Sequence, residues 1–206
     1  MKYIIISKKK WNKENYKNLN KSFKFFTELK INRIKKISPR IIFFIHWSKK
    51  IPSKIFKNYL CIQFHSSNLP KFKGGSPIQN QILRNIKKTK ITAFKVTDKI
   101  DSGDICLKKN LNLSDSAHLI YSRMENICIS MIKSLTRKKK IKFYKQKGIS
   151  TYFRRRVDND SDLSLIKSIS IKKIFDFIRM LDAPGYPKAF IKFKNFKVEL
   201  YDAKLN

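Results

Sequence analysis

The sequence predicts an α/β fold in which an open, mostly parallel sheet is followed by a small C-terminal module of one helix and one β-hairpin. Short runs of β-branched and aromatic residues alternate with segments whose apolar residues recur every three or four positions. In addition, residues 41–45 (IIFFI) are apolar without interruption, which is typical of a strand covered on both faces.

The sheet is predicted to form within the first half of the chain. Strands are expected at residues 3–7, 41–45, 60–64, 92–97 and 105–107. Residues 11–28 are predicted to be helical, because their large apolar side chains are three or four positions apart, and shorter helices are expected at 53–59 and 78–85. A longer helix is expected from Ser114, a suitable N-cap, to about Leu135.

The last part of the chain has a different pattern. A helix ending near Leu181 is followed by two short strands, about 188–193 and 196–202, that meet at Lys194-Asn195 as a hairpin. The sequence therefore predicts a main domain at residues 1–135, a basic linker at 136–163 and a helix-hairpin module at 164–206.

The net charge is the most conspicuous property of the composition. The 206 residues include 48 Lys+Arg and 14 Asp+Glu, for a formal charge of +34. Such a charge is expected of a protein that binds nucleic acid. However, 39 Lys against 9 Arg and 30 Ile against 3 Val are also expected from an AT-rich genome, and Arg is the residue preferred for specific phosphate recognition. Both explanations of the charge stay open.

Several function classes are disfavoured by what the sequence lacks. No apolar run reaches the roughly 18 residues of a membrane helix, and Met1–Ser7 is too short to act as a signal peptide, so a cytoplasmic protein is expected. The three cysteines form no CxxC pair and suggest neither a disulfide framework nor a metal site. The glycine-rich nucleotide motifs, GxSxG and HExxH are also absent.

Two polar clusters follow predicted strands. Gln63 and His65 end the strand 60–64 and precede a loop, 66–77, that is rich in Pro and Gly, while residues 98–104 follow the next strand. Ligands of open α/β sheets bind beyond the carboxyl ends of strands. A histidine near a carboxylate is the minimum for acid–base chemistry near neutral pH, so His65 and an aspartate of 98–104 are the candidates.

These residues resemble two motifs of the folate-dependent formyltransferase family. Residues 65–80 (HSSNLPKFKGGSPIQN) resemble the segment H-x-S-x-x-P-x-x-x-G-x-x-P-[IL], and residues 100–105 (IDSGDI) resemble L-D-x-G-x-[IL]. The resemblance covers roughly residues 40–135 and implies a Rossmann-like sheet of the formyltransferase N-terminal type, with residues 1–135 as the catalytic domain. Residues 44–48, 74–77 and 179–187 resemble the short members of the family that formylate amino-sugars or are described as methionyl-tRNA formyltransferase-like.

The resemblance implies transfer of a formyl group from 10-formyltetrahydrofolate to a primary amine, with no metal. His65 would stabilise the tetrahedral oxyanion, and Asp101 would tune His65 and help to remove the proton of the amine. The family usually has Asn two positions before this histidine; here the position is Gln63, which keeps the amide but is one methylene longer.

The resemblance also implies two sets of binding residues. The folate is expected against the strand 41–45 and a set from two loops: His46, Trp47, Ser48, Ile100, Gly103 and Asp104. The loop 66–77, which we call the substrate loop, would border the site through Ser67, Pro70, Gly74, Gly75, Ser76 and Pro77. Its glycines would let the backbone approach a ligand closely.

The amine acceptor and the partners are the least determined part of the interpretation. The short segment after residue 156 favours a nucleotide-linked amino-sugar, and the basic tract 133–156 keeps charged methionyl-tRNA as the alternative. A non-enzymatic basic RNA-binding protein is a third hypothesis. No membrane partner is expected, and a homodimer is compatible with the sequence.

Overall fold

The computed structural model describes residues 1–8, 16, 19–166 and 168–205. Ten strands occur in chain order: β1 Tyr3–Ile6, β2 Phe23–Phe26, β3 Ile41–Phe44, β4 Leu60–His65, β5 Lys73–Gly74, β6 Lys88–Lys95, β7 Ile105–Asn112, β8 Tyr152–Phe153, β9 Ala189–Phe193 and β10 Phe196–Leu200. The helices are α1 Ile31–Ile37, α2 Ser53–Phe56, α3 Pro77–Ile82, α4 Ala117–Arg137 and α5 Ile171–Arg179.

Six strands form the central sheet in the order β2-β1-β3-β4-β6-β7. The strands β1 to β4 are parallel, whereas β6 is antiparallel to both β4 and β7. The predicted α/β class with a mostly parallel sheet is therefore confirmed. The antiparallel strand β6 was not predicted as such, because an isolated strand pattern does not specify the direction of pairing.

The apolar strand β3 divides the core into two layers. Ile41 and Phe43 belong to one buried cluster, and Ile42 and Phe44 belong to another, because successive side chains of a strand point to opposite faces. All four are fully buried, as expected for a strand covered on both sides. This arrangement places the carboxyl end of β3 beside that of β4, where the candidate site lies.

The N-terminal helix prediction is wrong for the described part of its range. Phe23–Phe26 form the edge strand β2 rather than a helix, and the predicted positions 11–15 and 17–18 lie outside the described residues. The ring of Phe23 stacks on Tyr3 at 5.0 Å, and that of Phe25 stacks on Tyr16 at 5.8 Å. These contacts have the alternation of a strand, and pairing with β1 outweighs the local helical spacing.

The helix α4 lines one face of the sheet with buried side chains three or four positions apart, as predicted. It begins at Ala117, after Ser116, and not at Ser114. The main-chain N–H of Ser114 is instead bonded to the Asn112 side chain at 2.8 Å, which ends β7 in a local turn. Among the described residues, no helix is long and apolar enough to cross a membrane.

The C-terminal elements pack on the same core. Phe177 and Ile178 of α5 belong to the cluster that contains α4, and the buried guanidinium of Arg179 donates to the carbonyls of Leu113 and Asp115 at 2.7 and 2.6 Å. The hairpin forms as predicted, with β9 and β10 joined by Lys194-Asn195. The division of the chain into three regions stays a prediction.

Residues 136–163 contain the segment 144–156, which we call the crossing segment. Its strand β8 pairs in parallel with β5 of the substrate loop. Main-chain N–H groups of Lys73 and Gly75 donate to the carbonyls of Thr151 at 2.8 Å and Phe153 at 2.8 Å. The crossing segment therefore lies over the substrate loop and holds it.

Candidate active site

His65 lies at the carboxyl end of β4 and is only 7% exposed. Its Nε2 is 2.6 Å from the carbonyl oxygen of Phe72, and because a carbonyl can only accept, Nε2 carries the hydrogen. The other ring nitrogen, Nδ1, faces Oδ2 of Asp101 at 3.5 Å. A hydrogen bond to one ring nitrogen fixes the orientation of the imidazole, so Nδ1 is the nitrogen left to act with Asp101.

Asp101 is held rigidly in the turn between β6 and β7. Its backbone is left-handed, with φ of 48°, a conformation that Asp tolerates better than most residues. Its Oδ2 accepts a hydrogen bond from the main-chain N–H of Gly74 at 2.8 Å, and the residue is 7% exposed. The structure thus brings His65 and Asp101, which are 36 positions apart in sequence, together with the substrate loop.

Gln63 contacts the loop that follows β3. Its Nε2 donates to the carbonyl of Trp47 at 3.1 Å, which ties the ends of β3 and β4 together. The Trp47 ring packs in the core beside Phe44, whereas Ser48 is exposed. His46 has a φ of 48°, and its ring stands edge-on to Tyr121 at 5.6 Å.

The other residues predicted to bind folate lie in the turn 98–104. Ile100 is 69% exposed, which leaves an apolar side chain available to a ligand. A Cβ at Gly103 would come within 1.7 Å of the Lys95 carbonyl, and the Asp104 carbonyl accepts from the Lys95 N–H at 2.8 Å. Gly103 is therefore required for the close approach of this turn to β6.

The residues of the substrate loop are mostly engaged with the chain itself. Buried Ser67 donates from Oγ to the Lys71 carbonyl at 2.6 Å, Pro70 follows a cis peptide bond, and Pro77 begins α3. Ser76 accepts from the main-chain N–H of Arg156 at 3.1 Å.

Gly74 and Gly75 permit a close contact between two parts of the backbone. A Cβ at Gly74 would lie 2.3 Å from the Phe153 carbonyl oxygen, and one at Gly75 would lie 2.2 Å from Cα of Arg155. The sequence predicts that these glycines let the backbone approach a ligand, but the close neighbour in the structure is the crossing segment.

Several residues of the site had no sequence signal. The Phe72 N–H donates to Oγ1 of Thr151 at 2.8 Å, and the Phe72 and Phe153 rings stack at 5.1 Å. Gln146 donates to two carbonyls of the turn 98–104. These crossing-segment residues stand in a lysine-rich stretch with no motif, and only the pairing of β8 with β5 places them here.

A buried ammonium group lies next to the Asp101 turn. Lys73 is 5% exposed, and its Nζ donates to Oγ of Ser102 at 3.0 Å. The Ser102 hydroxyl is 3.4 Å from the Tyr152 hydroxyl. Hydrogen bonding with Ser102, together with the nearby Lys73 charge, lowers the pKa of Tyr152. Positive charge is therefore built into the layer between the loop and the crossing segment.

A cavity of about 670 Å³ lies between the start of the substrate loop and the strands β6 and β7. It is lined partly by Lys71, Lys88, Lys90 and Arg123 and does not include His65 or Asp101. Nearby, burial and the charge of Lys90 lower the pKa of Lys108. Within the described residues, no group of three or more His, Cys, Asp or Glu side chains is placed to hold a metal ion.

Comparison with known proteins identifies the family. The family model described as formyl transferase matches residues 6–128, and the model described as the C-terminal domain of methionyl-tRNA formyltransferase matches residues 158–206. Methionyl-tRNA formyltransferase from Sulfurihydrogenibium sp. (strain YO3AOP1) is 28% identical over 183 residues, which are 85% of this chain and 58% of that protein.

Two solved structures share the fold of this chain at different levels of sequence identity. Methionyl-tRNA formyltransferase from Clostridium thermocellum is 41% identical, with a TM-score of 0.93 over 100% of this chain and 94% of that chain. A 4-N formyltransferase from Francisella tularensis has the same fold at 15% identity, with a TM-score of 0.75 over 99% of this chain and 98% of that chain. Because the formyl transferase model matches more than half of the residues, the chain belongs to the formyl transferase family.

Proposed function

We propose that this protein transfers a formyl group from 10-formyltetrahydrofolate to the amino group of methionyl-tRNA. The observation that carries the choice of acceptor is the 41% identity, along the whole chain, with a methionyl-tRNA formyltransferase. Identity with a sugar N-formyltransferase from Shewanella sp. is 17%, a level that supports the fold alone. The amino-sugar acceptor favoured from the sequence therefore becomes the second candidate.

The His65–Asp101 pair supports the reaction itself. The amine attacks the formyl carbon, and the carbonyl becomes a tetrahedral oxyanion that His65 stabilises through a hydrogen bond from Nδ1. Asp101 takes the proton of the amine, directly or through a water molecule, and its carboxylate lies 3.5 Å from Nδ1, the ring nitrogen that must carry a hydrogen to donate to the oxyanion. Cleavage of the bond between the formyl carbon and N10 then gives the formylated amine and tetrahydrofolate, with a proton delivered to N10.

Gln63 is a second donor to the oxyanion in this proposal. One hydrogen of its amide is donated to the Trp47 carbonyl, which leaves a second N–H that can donate to the oxyanion. The folate lies against the loop that begins at His46 and against the exposed Ile100 of the Asp101 turn. The indole N–H of Trp47 is buried without an acceptor in the described part of the chain, so it is a donor available to a bound ligand.

The hairpin supports an RNA acceptor. Phe193 and Phe196 are 70% and 74% exposed and pair across the two strands, next to Lys192, Lys194 and Lys197. Exposed aromatic rings among cationic side chains are suited to stack on unpaired bases while the charges contact phosphates. A stacking surface of this kind suits an RNA better than a small sugar.

The test compares acceptors at equal concentration. Purified protein is mixed with 10-formyltetrahydrofolate labelled in the formyl group and with methionyl-tRNA, uncharged tRNA or a panel of nucleotide-linked amino-sugars. Label should appear on methionyl-tRNA alone, with one tetrahydrofolate released for each formyl group. Transfer to a sugar and not to tRNA would instead support the second candidate. Tight, salt-dependent RNA binding without any tetrahydrofolate release would support the non-enzymatic hypothesis.

A further inference from the structure

The crossing segment contacts both structures that hold Asp101. On one side it pairs with the loop strand β5, which contains Gly74, the donor to the Asp101 carboxylate. On the other side the Gln146 side chain reaches the turn 98–104, where Nε2 donates to the carbonyls of Asp101 at 2.8 Å and Gly103 at 2.9 Å. The main chain and the side chain of Asp101 are therefore both anchored through one segment.

The amide of Gln146 fits this place in one orientation only. Both hydrogens of its NH₂ group point to carbonyl oxygens, and the reverse orientation would set Oε1 against those same two acceptors. Its Oε1 is buried without a hydrogen-bond partner among the described residues. A buried acceptor without a hydrogen bond lowers the stability of the folded chain. The two bonds that the NH₂ group donates therefore contribute more at this position than a hydrogen bond to Oε1 would.

The turn needs such an anchor because its geometry is demanding. Asp101 has a left-handed backbone with φ of 48°, and its neighbour Ile100 is largely exposed. Without the two bonds from Gln146, the turn would be held on this side by the Gly74 contact to the carboxylate and the Lys73 contact to Ser102, neither of which fixes the Asp101 carbonyl. Movement of the turn would change the 3.5 Å separation between His65 Nδ1 and Asp101 Oδ2 directly.

We propose that Gln146 is a positioning residue that sets the distance and orientation of the Asp101 carboxylate relative to His65. It touches neither substrate and acts by fixing the carbonyls of Asp101 and Gly103. The expected change in kcat rests on the proposed formyl transfer, whereas the expected change in the ¹⁵N chemical shifts of the His65 ring does not.

The test uses the full-length chain with Gln146→Ala and Gln146→Glu. The first substitution removes both donors, and the second puts a carboxylate against the two carbonyls, so it should be the more damaging. Asn159→Ala is the matched control, because it removes an exposed side-chain amide outside the crossing segment and outside the basic tract 133–156. Each protein is compared by thermal unfolding, steady-state kinetics and the ¹⁵N chemical shifts of the His65 ring.

For Gln146→Ala we expect kcat to fall about 10- to 100-fold, the usual effect of a small misplacement of a catalytic group, while KM changes less than about threefold. The His65 ring nitrogens should shift in the direction seen in Asp101→Asn, and Asn159→Ala should match the wild type. A folded Gln146→Ala protein with wild-type His65 shifts and kcat would overturn the proposal. If the wild type has no formyl-transfer activity, the proposed function fails, and the His65 shifts alone decide the role of Gln146.

Discussion

Replacement of Asp101 by Asn is the most informative single change to the catalytic pair. An Asn side chain can still accept from the Gly74 N–H through Oδ1, and Asn also tolerates the left-handed backbone found at this position. Its NH₂ group would then face Nδ1 of His65. Because Nδ1 would have to accept that hydrogen, the ring could no longer donate from Nδ1 to an oxyanion.

The magnitude follows from the geometry. The Asp101 carboxylate lies 3.5 Å from Nδ1 of His65, and both side chains are only 7% exposed, so the substitution acts where solvent has little access. Removing one group that stabilises a transition-state oxyanion typically costs about 3 to 4 kcal/mol, or about 10²- to 10³-fold in rate.

The assay is single-turnover transfer of labelled formyl with saturating acceptor, with Asp98→Asn as the control. Asp98 is exposed at the start of the same turn, so its substitution makes the same change of charge away from His65. Asp101→Asn should lose about 10²- to 10³-fold in rate while the affinity for folate and the unfolding temperature stay near the wild-type values. Equal rates for Asp101→Asn and the wild type would refute the assigned role of the carboxylate.

Two further outcomes test the substrate loop and the hairpin. Gly75→Ala should lower the free energy of urea unfolding by about 1 to 3 kcal/mol and reduce kcat, because its Cβ would collide with Arg155; unchanged stability would contradict the close contact. The double change Phe193→Ser and Phe196→Ser should weaken tRNA binding at least about fivefold, a conservative value for loss of base stacking, with folate affinity unchanged. Ile149→Ser, at an exposed apolar residue outside the hairpin, is the control, and an equal loss of binding there would argue against stacking by the hairpin.

The sequence predicts the inner strands β1 and β3 well because they are continuous apolar runs. Ile41–Phe44 is the clearest case, since a strand buried on both faces needs apolar residues at every position. The edge strand Phe23–Phe26 was missed because its spacing also fits a helix, and pairing with β1 decides the outcome. A local sequence pattern predicts the structure of a segment correctly where burial determines the residue types. It fails where pairing with a segment elsewhere in the chain determines the structure.

The same distinction applies to the candidate site. His65 and Asp101 could be predicted because each follows a strand and belongs to a recognisable motif. Gln146 and Thr151 could not, since their functions depend on contacts with residues more than 40 positions away. The approach of Gly74 to a ligand stays a prediction, and the close contact with the crossing segment had no signal in the sequence.

The central claim is that His65 carries formyl transfer in this protein, and single-turnover transfer from labelled 10-formyltetrahydrofolate to methionyl-tRNA by the wild type and His65→Asn tests it most directly. The account predicts rapid labelling of methionyl-tRNA by the wild type and a rate at least about 10²-fold lower in His65→Asn, with folate binding retained. A wild-type protein that binds folate but leaves methionyl-tRNA unlabelled, or a His65→Asn variant as fast as the wild type, would contradict it.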